Sequence, residues 1–319
     1  MTSTIAKCLK TVSYVSRNML SGSGIFPFYA SYKVTSKCAL KCSHCYVPRE
    51  APSADVDTVS AKEIIRNLAS SSSIVLAFEG GEPFLREDIE DLLEHAKRFP
   101  VFVSVVTAYP EAASARYAGL SRFVDFLQVS IDEGHGNLHL LDRIDEIRST
   151  WRGKVCIQSV VTARTIDRME YKARAASEGG CKILFLPLAA LYPEMKDLRP
   201  ERSEFASGVR ALKKKFPKTV VCSSYFLGSH ARGKGCTTSS VVIDSDGSLY
   251  YPCHILKTKA FNLLDGRLDD FLLSPRAREL RARMDGCSLA CGWYQYFALC
   301  LKSIADLPRD VISGLERIG

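Results

Sequence analysis

The chain has 319 residues, 46% of them hydrophobic, and 43 Lys and Arg against 35 Asp and Glu give a formal net charge of +8. That length supports one large core with a smaller appendage, and no apolar run approaches the roughly 18 residues of a membrane span; with no signal-peptide core or cleavage site, a cytoplasmic protein is expected. The charge modestly favours anionic partners, but the absence of arginine-rich tracts or basic–aromatic alternation argues against nucleic acid.

The first element in chain order is an amphipathic helix. Ile5, Leu9, Val12, Val15 and Met19 fall at helical spacing with Lys7, Lys10 and Arg17 between them. Its ordinary reading is a helix packed on a barrel or closing its base. The sharper one is an in-plane helix making peripheral membrane contact and giving access to a lipid. Phe28 to Thr35 then reads as a strand by its aromatic and β-branched content. It runs into Cys38, Cys42 and Cys45, spaced C-x3-C-x2-C, on a loop leaving the strand's C-terminal end. Three thiolates can hold three irons of a four-iron cluster and leave the fourth open to a ligand. A zinc site from Cys38, Cys42, His44 and Cys45 is the alternative.

A helix over Ala61 to Ser70 leads to the continuous apolar run Ser73 to Phe78, a strand buried on both faces. It ends in Glu79-Gly80-Gly81-Glu82-Pro83, where two glycines permit close backbone approach to a ligand and Glu82 offers an acceptor for an ammonium group. Alone, this would be a turn before a helix over Glu87 to Arg98. Further strands are expected over Val101 to Thr107, Phe126 to Ile131, Val155 to Val161 and Ile183 to Pro187. Helices are expected over Ala112 to Leu120 (a weak one), Leu138 to Trp151, Arg168 to Glu178 and Glu201 to Phe216. Strand–helix alternation implies a parallel sheet with right-handed crossovers. Cys156 and Cys181 lie in or beside apolar strands and read as buried structural thiols.

From about Tyr225 the pattern changes. Asp246-Gly247 between two β-like runs is a hairpin signal that brings Cys236 and Cys253 together. Cys287, Cys291 and Cys300 follow. Twelve cysteines in a cytosolic chain of this size point to metal or redox work rather than disulfides.

The cysteine run and the Gly-Gly-Glu-Pro segment, in this order and on these elements, resemble the signatures of the radical S-adenosylmethionine (SAM) superfamily. The resemblance implies an α/β fold, a partial (β/α)6 TIM barrel over residues 28–225, preceded by the 1–27 helix segment. It implies a [4Fe-4S] cluster on Cys38, Cys42 and Cys45 that binds SAM and cleaves it to a 5′-deoxyadenosyl radical, which takes a hydrogen atom from a substrate. His44 stands where the family's aromatic residue usually stands. Glu82, with Gly80 and Gly81, is expected to bind the methionyl ammonium, and Ser130 at the fourth strand end the ribose or carboxylate. Arg143 could pair with the carboxylate, against an ordinary exposed arginine.

The C-terminal part, 226–310 with a tail over 311–319, resembles SPASM and twitch extensions. That implies one auxiliary [4Fe-4S] cluster on Cys236, Cys253, Cys287 and Cys291, with Cys300 in reserve. A zinc knuckle including His254 is the alternative. The resemblance implies an oxidoreductase or maturase that ends in oxidation or cross-linking of a peptide or small molecule, fed by flavodoxin or ferredoxin. Modification of a lipid, and a non-enzymatic zinc-binding protein, are the alternatives. With no peptide-recognition domain ahead of the barrel, a leader-dependent maturase is not the first expectation.

Overall fold

The computed structural model describes residues 4–21, 24–50, 53–108, 115–233, 236–289 and 291–297. Cys300 and the 311–319 tail lie outside them. Six parallel strands form the barrel wall: β1 (Tyr29–Thr35), β2 (Val75–Gly80), β3 (Phe102–Thr107), β4 (Phe126–Ser130), β5 (Lys154–Val161) and β6 (Lys182–Pro187). They neighbour one another in sequence order. The crossovers carry α2 (Thr58–Ser70), α3 (Ile89–Ala96), α4 (Ala115–Ala118), α5 (Ile144–Thr150) and α6 (Met169–Glu178), and α7 (Arg202–Lys215) follows β6. α2 shows the local logic. The Asp57 carboxylate caps it by accepting from the Ser60 N–H at 2.7 Å, and Ala61, Ile64, Ile65 and Leu68 turn one apolar face to the strands. The expected (β/α)6 architecture is present, and its sheet does not close.

After α8 (Ser224–Arg232), β7 (Ser240–Ile243) lies parallel to β1, with Tyr29 opposite Ser240. The hairpin to β8 (Ser248–Tyr250) is the expected one: it turns at Asp246-Gly247, and Gly247 has φ 83°. β9 (Lys259–Asn262) completes a nine-stranded sheet, so the cysteine-bearing hairpin is continuous with the barrel sheet. Asp244 pins it, accepting from Tyr250 Oη at 2.9 Å and Ser53 Oγ at 2.7 Å and pairing with Lys259 at 2.7 Å.

α1 (Thr4–Leu20) crosses the strand-start end of the barrel, as the ordinary reading anticipated, but by the opposite face. Lys7 pairs with Asp125 at 3.3 Å, Arg17 with Asp269 at 2.6 Å, and Tyr14 packs edge-on against Phe28. Asn18 brackets Phe26 with two hydrogen bonds. Ile5, Leu9 and Val12 point outward, 62–70% exposed. Polar groups at the barrel base, Asp125 and the Phe26 backbone, recruit the polar face.

Candidate active site

All six barrel strands run the same way, so their C-terminal ends share one rim. The Cys38–Cys45 loop leaves β1 there, and Glu82, Thr107 and Ser130 stand at or just past the ends of β2, β3 and β4. A cavity of about 340 Å³ opens below the loop. Cys38, Cys42, His44, Cys45, Gly80, Gly81, Glu82 and Ser130 all line it, so seven of the residues singled out in the barrel sequence share its wall with His44.

The two glycines also make room for the chain's own backbone. A Cβ on Gly81 would run into the Lys37 carbonyl, and Gly80, at φ 121°, would meet the Thr35 carbonyl and Lys33. Gly81 thus lets the cysteine loop approach at Lys37, and Gly80 lets the end of β1 approach at Lys33 and Thr35. Gly81 N–H donates to Thr35 O at 2.8 Å and Glu82 N–H to Lys37 O at 2.9 Å, fixing the loop to the end of β2. Glu82 is 2% exposed. Its carboxylate accepts from Thr107 Oγ1 at 2.9 Å and from the Phe84 and Ala108 N–H groups, each at 3.2 Å. Burial raises its pKa, and these donors oppose the rise.

Behind the loop lies a cluster that sequence reasoning missed. Asp132, 1% exposed, accepts from His135 Nδ1 at 2.8 Å and from the Val160 N–H at 3.0 Å. Burial works against both charges, but the pairing prevails: Asp132 is held at about 2 and His135 is lifted to about 9, helped by a hydrogen bond to Cys42. His44 packs edge-on to His135, ring centroids 4.6 Å apart, and burial pushes it down to about 4. A side chain on Gly134 would occupy the place of the His44 ring. Asn137 bridges strand ends by donating to Ser130 O at 2.8 Å. The signal available was the run Glu133-Gly134-His135-Gly136-Asn137 directly after a barrel strand.

Arg143 is not at this site. Its guanidinium pairs with Glu146 at 2.7 Å on the surface of α5, 48% exposed, and it does not line the cavity. It sits a full 3₁₀ segment beyond the rim, at the start of α5, so the ordinary reading of an exposed helix arginine is the one the structure shows. Cys181 is buried as expected, but Cys156 lines the cavity.

Cys236, Cys253, Cys287 and Cys291 converge near the hairpin. Cys236 is pushed up to about 12 by burial first, then by the negative charges that Cys291, Cys287 and Cys253 would carry. Cys253 is pushed up to about 11 by burial and then, among these neighbours, by Cys291 and Cys287.

A family model, the Radical SAM superfamily, matches residues 32–230. The chain belongs to the radical SAM superfamily. It is therefore an enzyme that uses a [4Fe-4S] cluster and SAM. It is 29% identical to a PqqA peptide cyclase of Streptomyces rochei over 104 residues, 32% of this chain and 29% of that protein. It is 38% identical to an Fe-coproporphyrin III synthase of Methanosarcina barkeri over 72 residues, 21% of this chain and 17% of that one. The matches thus span less than a third of the length of either relative. In fold it resembles Streptococcus suis SuiB, with a TM-score of 0.68 at 15% identity, covering 89% of this chain and 75% of that one. It also resembles anSMEcpe with bound AdoMet and a Cp18Cys peptide, with a TM-score of 0.63 at 17% identity, covering 92% and 98%.

The cysteine donors of this radical SAM enzyme are thiols, which suit an iron–sulfur cluster and zinc alike. Among the described residues, only His44, Asp132 and His135 bring three candidate ligand atoms within 4.8 Å of one another. Cys45, held up at about 11 by burial, is a thiol whose proton a bound metal would displace.

Proposed function

We propose that Cys38, Cys42 and Cys45 hold the SAM-binding cluster and that Glu82 and Ser130 position SAM. We propose Cys236, Cys253, Cys287 and Cys291 as ligands of an auxiliary cluster, and a peptide as the substrate, oxidised or cross-linked in the cavity. When bound, the first cluster supplies the electron that cleaves SAM to the 5′-deoxyadenosyl radical. Every other role here belongs to the chain. Glu82 presents a carboxylate already oriented by three donors, so little ordering is left for binding. His135 holds a donor against Cys42, and Gly80-Gly81 fixes the loop carrying the thiols. Apolar walls from Val106, Val160, Leu186 and Leu188 keep water from a reactive intermediate.

The observation carrying this reading is the shared cavity. The cysteine loop forms one wall, and Trp293, Tyr294 and Gln295, directly after Cys291, form another. The Trp293 N–H donates to Cys291 Sγ at 3.5 Å, tying that wall to the second cysteine group. Similarity to a peptide cyclase supports a peptide over a lipid or free metabolite. The test is release of 5′-deoxyadenosine by anaerobically reconstituted protein given SAM, a flavodoxin or ferredoxin reducing system and a peptide library. Release without any peptide dependence would count against the substrate assignment.

A membrane-surface contact is the second reading. No described helix is long and apolar enough to cross a membrane. The outward stripe of Ile5, Leu9, Val12 and Leu20 favours lying on one. Flotation with anionic vesicles, lost in a Leu9→Asn, Val12→Asn variant, would support it; no flotation would refute it.

A further inference from the structure

Glu79 precedes the two glycines. It lines the cavity near the end of β2, facing Lys33 across the β1–β2 register. Lys33 is its natural counter-ion, but the ammonium is engaged elsewhere. Lys33 Nζ contacts His254 Nε2 at 3.2 Å and Asp244 at 3.8 Å, on the hairpin side. Among the described residues the Glu79 carboxyl takes one hydrogen bond, from Gln295 Nε2 to Oε1 at 3.3 Å, and no ion pair. Its other electrostatic neighbours are Tyr46, after Cys45, and Tyr296 in the C-terminal segment. It therefore stands between the two cysteine groups, where a substrate between two redox centres would sit.

A buried carboxylate with no ion pair is costly, and the cost is offset when a charged donor enters. Burial accordingly lifts this group to about 7, only partly offset by Gln295 and Lys33. SAM cannot be the donor if Glu82 meets its ammonium. Along the cavity wall Val106, Leu184 and Leu186 offer apolar surface for a methylene chain, beside the polar Ser104, Gln128 and Gln158.

We propose that Glu79 is a substrate-anchoring carboxylate and that the substrate presents an aliphatic ammonium, such as a lysine-type side chain, into this cavity. The proposal rests on the cavity being the SAM and substrate site. Gln295 orients the carboxyl, and Lys33, in contact with His254 and Asp244, acts on it through space without closing an ion pair.

The test uses reconstituted full-length protein saturated with SAM and titrated by calorimetry with n-pentylammonium and with n-pentanol. Wild type should bind the ammonium about tenfold to a hundredfold more tightly, the range of a charge-assisted hydrogen bond. Glu79→Gln keeps the shape and a partner for Gln295. It should erase that preference while iron content and SAM affinity stay at wild-type values. Wild type that takes up iron and SAM yet shows no ammonium preference would overturn the anchoring role alone, as would a preference surviving in Glu79→Gln. Wild type that binds neither iron nor SAM would overturn the functional reading, and the anchor with it.

Discussion

Replacing Glu82 by Gln removes one charge and almost no volume. The Glu82 carboxylate accepts the Thr107 hydroxyl and two backbone N–H groups. A glutamine oxygen can keep the Phe84 N–H, and the Thr107 hydroxyl can rotate to accept from the new amide. The Ala108 N–H loses its carboxylate partner, so a modest destabilisation is expected. The ammonium of SAM loses an ionised acceptor in a buried site, about 1.5–3 kcal/mol. That corresponds to a dissociation constant roughly ten- to a hundredfold weaker. Calorimetric titration of SAM into reconstituted variant and wild type, matched for iron and sulfide, measures it. Equal affinity would mean that Glu82 only caps the following 3₁₀ turn, and the positioning argument would be wrong.

Gly81→Ala should force the end of β2 away from the Lys37 carbonyl, costing about 1–3 kcal/mol of stability and lowering iron uptake. Gly119→Ala, where a Cβ meets only an arginine side-chain tip at 4.0 Å, is the control, and equal melting temperatures would contradict the docking role. Asp244 sits at about 2, with burial opposed by Lys259, Ser53 and Lys33. Because its folded value lies below the ordinary carboxylate value, its contribution is full above about pH 4 and is lost as pH falls through about 2. It amounts to about 2 kcal/mol after discounting for the partly exposed Lys259. Urea melts of wild type and Asp244→Asn should converge across that window; profiles that stay parallel would refute the linkage.

Much of the barrel could be read from the chain because its signals are local. Apolar runs such as Ser73–Phe78 and turn residues such as Asp246-Gly247 declare themselves within a few positions. What was hidden depends on distant partners. The apolar stripe of α1 identified the helix, but Asp125 and Asp269 decided which face it turns inward. The hairpin was legible, yet its parallel attachment to β1 is a pairing over about two hundred residues that no local pattern encodes. Gly80 and Gly81 were recognised as needing room, but that β1 and the cysteine loop also press against them depends on the parallel β1–β2 pairing. His135 reaches the site through a fold-dependent contact with Cys42, and nothing in the sequence around Arg143 told a carboxylate partner in the cavity from Glu146 one turn on.

The central claim is that two separate cysteine groups each hold a cluster. It is tested most directly by counting iron and sulfide after anaerobic reconstitution of wild type and of a Cys38→Ala, Cys42→Ala, Cys45→Ala variant. Wild type should hold about eight irons and the variant about four, with matching sulfide. Stoichiometric zinc in place of iron, or a variant that binds no iron, would contradict it.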